Sequence, residues 1–263
     1  MSQYKDHKQA TSYLQKIEAS PKQYLFIHYS CESFYNIKDG KTPRITSIAI
    51  RYVGTGQTES FSLHKTAEQI GIASDEISEK YDEIEKTMLN EYFNFLKDNK
   101  DKYYLHINMR DINYGFKAIE HRYKVLHGKP FILPDSQKID FAWLLKKLFG
   151  ENYIGHPRIE NLYKLNGIKP IFFLSGKEEA EAFENKEYIK LHQSTLSKVD
   201  IYCNLLNRAI NHTLKTKAKW YDIYGITAQG IFEYCKSQWW IQFTWSVVML
   251  LLGAFLGKWI GSN

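Results

Sequence analysis

The chain has 263 residues, a net charge of +6, and 44% hydrophobic against 24% charged residues. That is ordinary globular composition, which excludes a collagen-like or wholly disordered chain, and so small a positive surplus does not by itself establish nucleic-acid binding. Cys31, Cys203 and Cys235 have neither CxxC nor metal-ligand spacing. They predict no disulfide framework and fit a reducing compartment.

The N-terminal MSQYKDHKQATSYLQK is polar and lacks the apolar core of a signal peptide. Residues 5–18 predict a leading helix, closed near Ser20-Pro21 because proline stops helical continuation. The apolar run 23–30 (QYLFIHYS) predicts a buried strand, and 44–53 (RITSIAIRYV) alternates as a second. Gly54 and Gly56 supply turn chemistry before a returning strand over 58–64. From Ser74 to Asn99 the period changes: Ile77, Tyr81, Ile84, Met88, Tyr92, Phe95 and Leu96 recur every three or four residues, an amphipathic helix. A strand over 102–108 and a helix over 114–126, ended by Gly128 and Pro130, come next. Helices are then predicted over 140–149, 158–165, 177–184 and 191–214. The expected fold is α/β: a mixed sheet of three antiparallel strands and then strand–helix units, with extra C-terminal helices.

Residues 239–260 (WWIQFTWSVVMLLLGAFLGKWI) predict one transmembrane helix, since a span needs about 20 mostly apolar residues. Lys258 sits near its end, where it can snorkel, and Trp239, Trp240, Trp245 and Trp259 match the aromatic belts of membrane helices. A buried C-terminal helix is the other reading, favoured by Gln242, Thr244 and Ser246. Lys217, Lys219 and Lys236 before the span outnumber Lys258 beyond it, which predicts a tail-anchored, single-pass protein with its body in the cytoplasm. Gly253, Gly257 and Gly261 form a tandem GxxxG pattern, as expected of self-association into a homo-oligomer, although glycine is frequent in membrane helices anyway. The expected organisation is therefore an N-terminal helix over 1–20, a main domain over 21–218, a juxtamembrane linker over 219–238 with a joint at Gly225 to Gly230, and the span over 239–260.

The order of elements and several residues resemble the DEDD 3'-5' exonuclease superfamily, which has a ribonuclease-H-like fold. Its first strand ends in Asp-x-Glu; here YLFIHYSCES aligns Glu32 with the glutamate and Ser30 with the aspartate. RITSIAI resembles the family's second strand. YYLHINMRDINYGF resembles its second motif with Asp111 at the aspartate, and LHQSTLSKVDIYCNLL resembles the final helix with Asp200 at its aspartate. The likeness covers about residues 21–215. It implies that Glu32, Asp111 and Asp200 are metal ligands and catalytic residues for Mg2+ or Mn2+, two such ions lying about 4 Å apart to activate water and stabilise the leaving oxygen. Ser30 departs from the pattern as a poor ligand for a hard cation. The family's catalytic His or Tyr, four or five residues before the final aspartate, is replaced here by Leu196 and Thr195, and His192 lies eight residues before Asp200. Asp111 reads equally as a helix N-cap, Glu32 as a solvated residue after a strand, and Asp200 as a helix-surface charge.

His28 and His106, on adjacent predicted strands, are candidates for a substitute metal or acid/base site, or are packing residues. Residues 186–219 carry seven Lys or Arg against two acids. Lys198, Arg208, Lys215, Lys217 and Lys219 are therefore candidates for contact with nucleic acid or anionic lipid, the alternative being a solvated helix face. Two functions follow: a membrane-anchored exonuclease-like protein that binds nucleic acid, its catalysis compromised by Ser30 in place of the first metal-ligand aspartate, or a non-catalytic sensor or membrane effector, for example in bacterial antiphage defence, acting through protein partners.

Overall fold

The computed structural model describes residues 2–32, 42–110 and 113–260. Asp111 and Gly261, and the side chains of Lys258 and Trp259, lie outside the described residues. The chain forms two compact units, one of Tyr13–Leu144 with His156–Lys215, the other of Met1–Ser12, Leu145–Gly155 and Thr216–Asn263.

In the first unit, Tyr24–Cys31 (β1) is buried along almost its whole length, as a strand covered on both faces must be. Ile45–Tyr52 (β2) pairs with it antiparallel and Thr58–Ser62 (β3) pairs antiparallel with β2. On the other side Tyr103–His106 (β4) and Lys138–Asp140 (β5) run parallel to β1, giving the order β3-β2-β1-β4-β5. The α/β expectation is met by this five-stranded mixed sheet.

Alternation along β1 separates the two faces of the sheet. Leu25, Ile27 and Tyr29, with Ile48 and Ile50 of β2 and Tyr104 of β4, pack against Met88, Leu89, Tyr92, Phe93 and Leu96 of the helix Tyr81–Asp98 (α3). Phe116, Ile119 and Tyr123 of the helix Phe116–Val125 (α4) complete this core. The opposite face takes the long helix Tyr188–Ile210 (α8): the ring of Tyr202 lies 5.4 Å from Phe26 and 5.5 Å from His28. A smaller core joins Leu63 and Ala67 of Leu63–Gln69 (α2), Tyr81 and Ile84 of α3, Phe183 of Gly176–Glu184 (α7), and Leu191 of α8. Phe141–Phe149 (α5) is started by Asp140, whose Oδ1 accepts from the amides of Ala142 at 2.9 Å and Trp143 at 3.2 Å. This is the usual way a helix satisfies its first N–H groups. Arg158–Leu165 (α6) precedes α7.

Three elements differ from expectation. The strand expected to reach His64 ends at Ser62, because Leu63, Thr66 and Ala67 bury one face at helical spacing and start α2. The helix expected from Ser74 starts at Tyr81. β5 has three residues, too few for periodicity to register.

The second unit is tied by the ion pair of Lys147 with Asp6 and by His7 Nδ1, which donates to the Leu148 carbonyl at 2.7 Å. The linker expected before the C-terminal helix is partly helical, with Trp220–Tyr224 (α9) and Ala228–Ser237 (α10). Trp220 stacks on Tyr234 at 5.0 Å, and a Cβ on Gly230 would come within 2.1 Å of the Tyr224 carbonyl oxygen, so only glycine permits this approach. Trp239–Ile260 (α11) follows. Among the described residues no single helix is long and apolar enough to cross a membrane; α10 and α11 pass that test together but are bent by 92° at their junction.

The most consequential polar contact in the main core is Glu85 of α3, which is fully buried. Its carboxylate accepts from the Ile45 amide at 2.7 Å and from Arg122 Nε at 3.0 and 3.1 Å, joining α3 to β2 and α4. Burial raises its pKa to about 6 against the pull of Arg122. Removing the guanidinium leaves that carboxylate unmatched, so Arg122→Met is expected to lower unfolding free energy by about 3–5 kcal/mol in denaturant titrations. A change within experimental scatter would contradict this role.

Candidate functional site

Ser30, at the carboxyl end of β1, faces α8 and is 2% exposed. Its Oγ donates to Glu179 Oε1 at 3.0 Å and lies 2.8 Å from Thr195 Oγ1. Glu179 stands in the first turn of α7, whose start is fixed by a capping box: Ser175 Oγ accepts from the Glu178 amide, and Glu178 Oε2 accepts from the Ser175 amide at 2.7 Å. The same Glu179 oxygen accepts from Ser194 Oγ at 3.0 Å and pairs with Lys198 Nζ at 2.7 Å. Ser194 in turn accepts from the Leu174 amide at 3.2 Å, and the ammonium sits 5.4 Å from the centre of the Phe173 ring.

Proton counting shows how tightly this cluster is coupled. Thr195 Oγ1 also donates to the Leu191 carbonyl at 2.9 Å, so two hydroxyl protons, those of Ser30 and Thr195, serve Glu179, Leu191 and each other. If Ser30 gives its proton to Glu179, Thr195 is free to donate to Ser30; if Ser30 gives it to Thr195, Thr195 donates to Leu191. The carboxylate keeps the ammonium and Ser194 as donors in either arrangement.

His28 belongs to the same face. Its Nδ1 lies 3.3 Å from the Tyr114 hydroxyl, while its buried Nε2 has no hydrogen-bond partner. Burial, reinforced by Lys198, holds its pKa well below the usual histidine range, so the ring is neutral. Burial also raises the Cys31 thiol, with Glu179, Glu32 and Glu85 adding to the shift, which makes it an inert thiol rather than a nucleophile.

Of the residues expected as metal ligands, Glu32 and Asp200 are each engaged by an arginine rather than by one another. Glu32 gives its oxygens to Arg44 in a bidentate pair, Nε to Oε2 and Nη2 to Oε1, each at 3.1 Å. The Arg44 guanidinium lies over Tyr81 at 4.8 Å and Phe183 at 5.0 Å. Asp200 is 61% exposed and pairs with Arg51 of β2 at 3.1 Å. Asp111 is outside the described residues. Among the described residues no three His, Cys, Asp or Glu side chains come together so as to hold a metal ion. The carboxylate that does reach Ser30 already carries an ammonium, and the described donors therefore do not fit a divalent pair.

His192 bridges strands: its Nδ1 lies 2.8 Å from Ser47 Oγ of β2 and its Nε2 3.4 Å from Ser60 Oγ of β3. The sheet register separates His28 and His106, so they do not form a joint metal or acid/base site. Phe26 pairs with Leu105, so His106 shares the face of Ile27 while His28 points the other way. His106 Nδ1 accepts from the Met109 amide at 3.2 Å, and burial lowers its pKa to about 4 against the pull of Asp140.

Of the basic residues expected at a nucleic-acid or lipid surface, Lys198 is buried in the ion pair above, while Arg208 is half-buried and bonded to Asn204 Oδ1 at 2.8 Å. Lys215, Lys217 and Lys219 are exposed. Sequence reading missed Glu179. The available signal was the polar run Ser194, Thr195 and Lys198 on a helix face that otherwise reads Leu191, Tyr202 and Leu205, since buried polar groups require partners.

His192 carries a pH signature. Burial lowers its pKa to about 3, below the unfolded value of about 6.5, so the unfolded chain takes up the extra proton. Stability is complete above about pH 6.5 and falls as pH drops toward about 3, at up to about 1.4 kcal/mol per pH unit for this one group. His192→Gln should flatten the acid limb of a stability–pH profile by about that slope; an unchanged limb would show that His192 is not held neutral by the fold.

Comparison with known proteins adds no relative from which a role could be carried over: no family model, curated protein or solved structure matches the chain.

Proposed function

We propose that this chain is a membrane-associated, ribonuclease-H-like module that binds nucleic acid without cleaving it. The observation that carries the reading is the Lys198 ammonium at 2.7 Å from the carboxylate that Ser30 contacts. In the exonuclease family that the sequence resembles, the position of Ser30 belongs to an aspartate on two metal ions. Here a fixed side-chain cation stands beside that position, and a divalent ion placed there would meet like-charge repulsion. The mixed sheet, with three antiparallel strands followed by parallel strand–helix units, supports the fold reading. Glu32 and Asp200 remain acidic but are matched by Arg44 and Arg51, which supports a structural use for both.

The exposed Lys215, Lys217 and Lys219 supply the cationic surface in this reading, as point charges for phosphate oxygens. The C-terminal helices supply attachment. Along α11 Trp239, Phe243, Trp245, Met249, Leu250, Leu251 and Phe255 are each more than half exposed, so the helix offers apolar side chains to its surroundings. α10, where Phe232 is 65% exposed, and α11 are long and apolar enough for a span only together, so in this reading the bent pair as a whole attaches to the membrane, with the body in the cytoplasm as the lysine bias before it predicts. Nothing lies within 4 Å of a Cβ at Gly253 or Gly257, which leaves room for a second α11 in a homo-oligomer. A sensor that signals through this helix to a protein partner is compatible with the same architecture.

The test is a cleavage and binding assay on the full chain in detergent, with single-stranded DNA and RNA and with Mg2+ or Mn2+. The expected outcome is binding that weakens steeply with salt and no metal-dependent shortening of either strand. Metal-dependent degradation that is lost in Glu32→Ala would restore the exonuclease, and absence of binding to either strand would remove nucleic acid as the ligand.

A further inference from the structure

A cavity of about 270 Å³ opens on the α4 side of the sheet, between the carboxyl end of β4 and the start of β5, lined by His106, Arg110, Phe116, Lys117, Asp135 and Lys138 among others. By the register, His106 and the strand residue Lys138 belong to the face that packs on α4, not to the face carrying Ser30 and Lys198.

The lining is cationic. Arg110 Nε pairs with Asp140 at 2.8 Å, and Lys138 Nζ with Asp135 at 3.1 Å, but the Asp135 side chain is 90% exposed, so solvent screens that pair. Lys117 makes no ion pair among the described residues. Phe116 and Lys117 are the first residues of α4, whose N-cap, Gly115, brings no side-chain cap, so the positive end of the helix dipole adds to the same region. His106 supplies an independent sign of a missing partner. It is 2% exposed, and because its Nδ1 accepts from the Met109 amide at 3.2 Å, the neutral ring carries its proton on Nε2. No described group accepts that proton. A ring donor that lines the cavity with no described acceptor, beside three cationic side chains and a helix N-terminus, suits an anion with several oxygen acceptors.

We propose that this cavity binds a small phosphate monoester, with its phosphate held by Lys117, Lys138 and the start of α4 and with His106 Nε2 as a donor. The volume lies just below the ~300–1,000 Å³ of typical small-molecule sites, which suits a mononucleotide-sized ligand rather than a strand. The face of the Phe116 ring is already taken up on one side by Lys138 Nζ, 5.2 Å from the ring centre. Recognition therefore rests on the phosphate more than on base stacking. The inference does not depend on reading the chain as exonuclease-like, because none of its residues belongs to the Ser30 cluster.

The experiment is calorimetric titration of the full chain in detergent with inorganic phosphate, AMP, adenosine, and phosphatidic acid in mixed micelles. Binding of AMP or phosphate but not adenosine is expected, and would assign a soluble ligand; binding of phosphatidic acid alone would keep the phosphate site and assign a lipid. Lys117→Ala, at an exposed position, should leave the melting temperature unchanged and weaken phosphate-probe binding about tenfold, the loss of one charge-assisted contact. His106→Phe, which keeps ring volume without the donor, should weaken it as well. No binding of any phosphate probe, or binding unaffected by both substitutions, would overturn the proposal, whatever the outcome of the strand-cleavage assay.

Discussion

An ammonium group whose side chain is 8% exposed must meet a carboxylate or lose its charge, and Lys198 meets Glu179 at 2.7 Å. That requirement organises one face of the sheet. Glu179 has to reach inward from α7, so the capping box of Ser175 and Glu178, which fixes where α7 begins, also fixes where the carboxylate lands. Ser194 and Thr195, one turn before Lys198, then bring their hydroxyls to Glu179 and Ser30, and Ser30 closes the cluster onto β1. Replacing Ser30 by an aspartate would put a second carboxylate beside Glu179 with one cation to share, which explains in physical terms why a neutral hydroxyl is found there.

The other face solves a related problem differently. Glu85 is fully buried, and its partner is the planar fork of Arg122, which engages both oxygens, while the Ile45 amide adds a further donor. Two carboxylates, one per face, the fully buried Glu85 and the partly buried Glu179, thus tie helices to the start of β2 and the end of β1. Between them the alternation of β1 keeps Tyr29 and Ser30 on opposite sides, one apolar and stacked on Tyr114 at 4.6 Å, the other in the polar cluster.

Much of this architecture is legible in the sequence because it is carried by long apolar runs. The runs YLFIHYS and ITSIAIRY can only be central strands, and the repeat from Tyr81 to Leu96 can only be a helix with one buried face. Legibility fails where a feature is short or depends on distant residues. β5 is too brief to show a period, and Asp140 reads as the start of a helix, which is half of its role. Lys198 and Asp200 look alike as charges on one helix, but two residues apart they face different surroundings: Lys198 turns into the sheet and Asp200 out toward Arg51. The resemblance to the exonuclease family rests at Glu32 and Asp200 on residue types alone. Their matching by Arg44 and Arg51 is not legible there, since it depends on where separate strands and helices bring the guanidinium groups.

The central claim is that the Lys198–Glu179 pair, and not a bound cation, neutralises the carboxyl end of β1. A double-mutant cycle of Lys198→Met and Glu179→Gln, read as unfolding free energy in denaturant, tests it most directly. Each single substitution should cost about 3–5 kcal/mol, because it leaves a buried charge unmatched, and the double variant should be more stable than the sum of the two by about 1–3 kcal/mol. Additive losses, or a Lys198→Met variant as stable as the parent, would contradict the account.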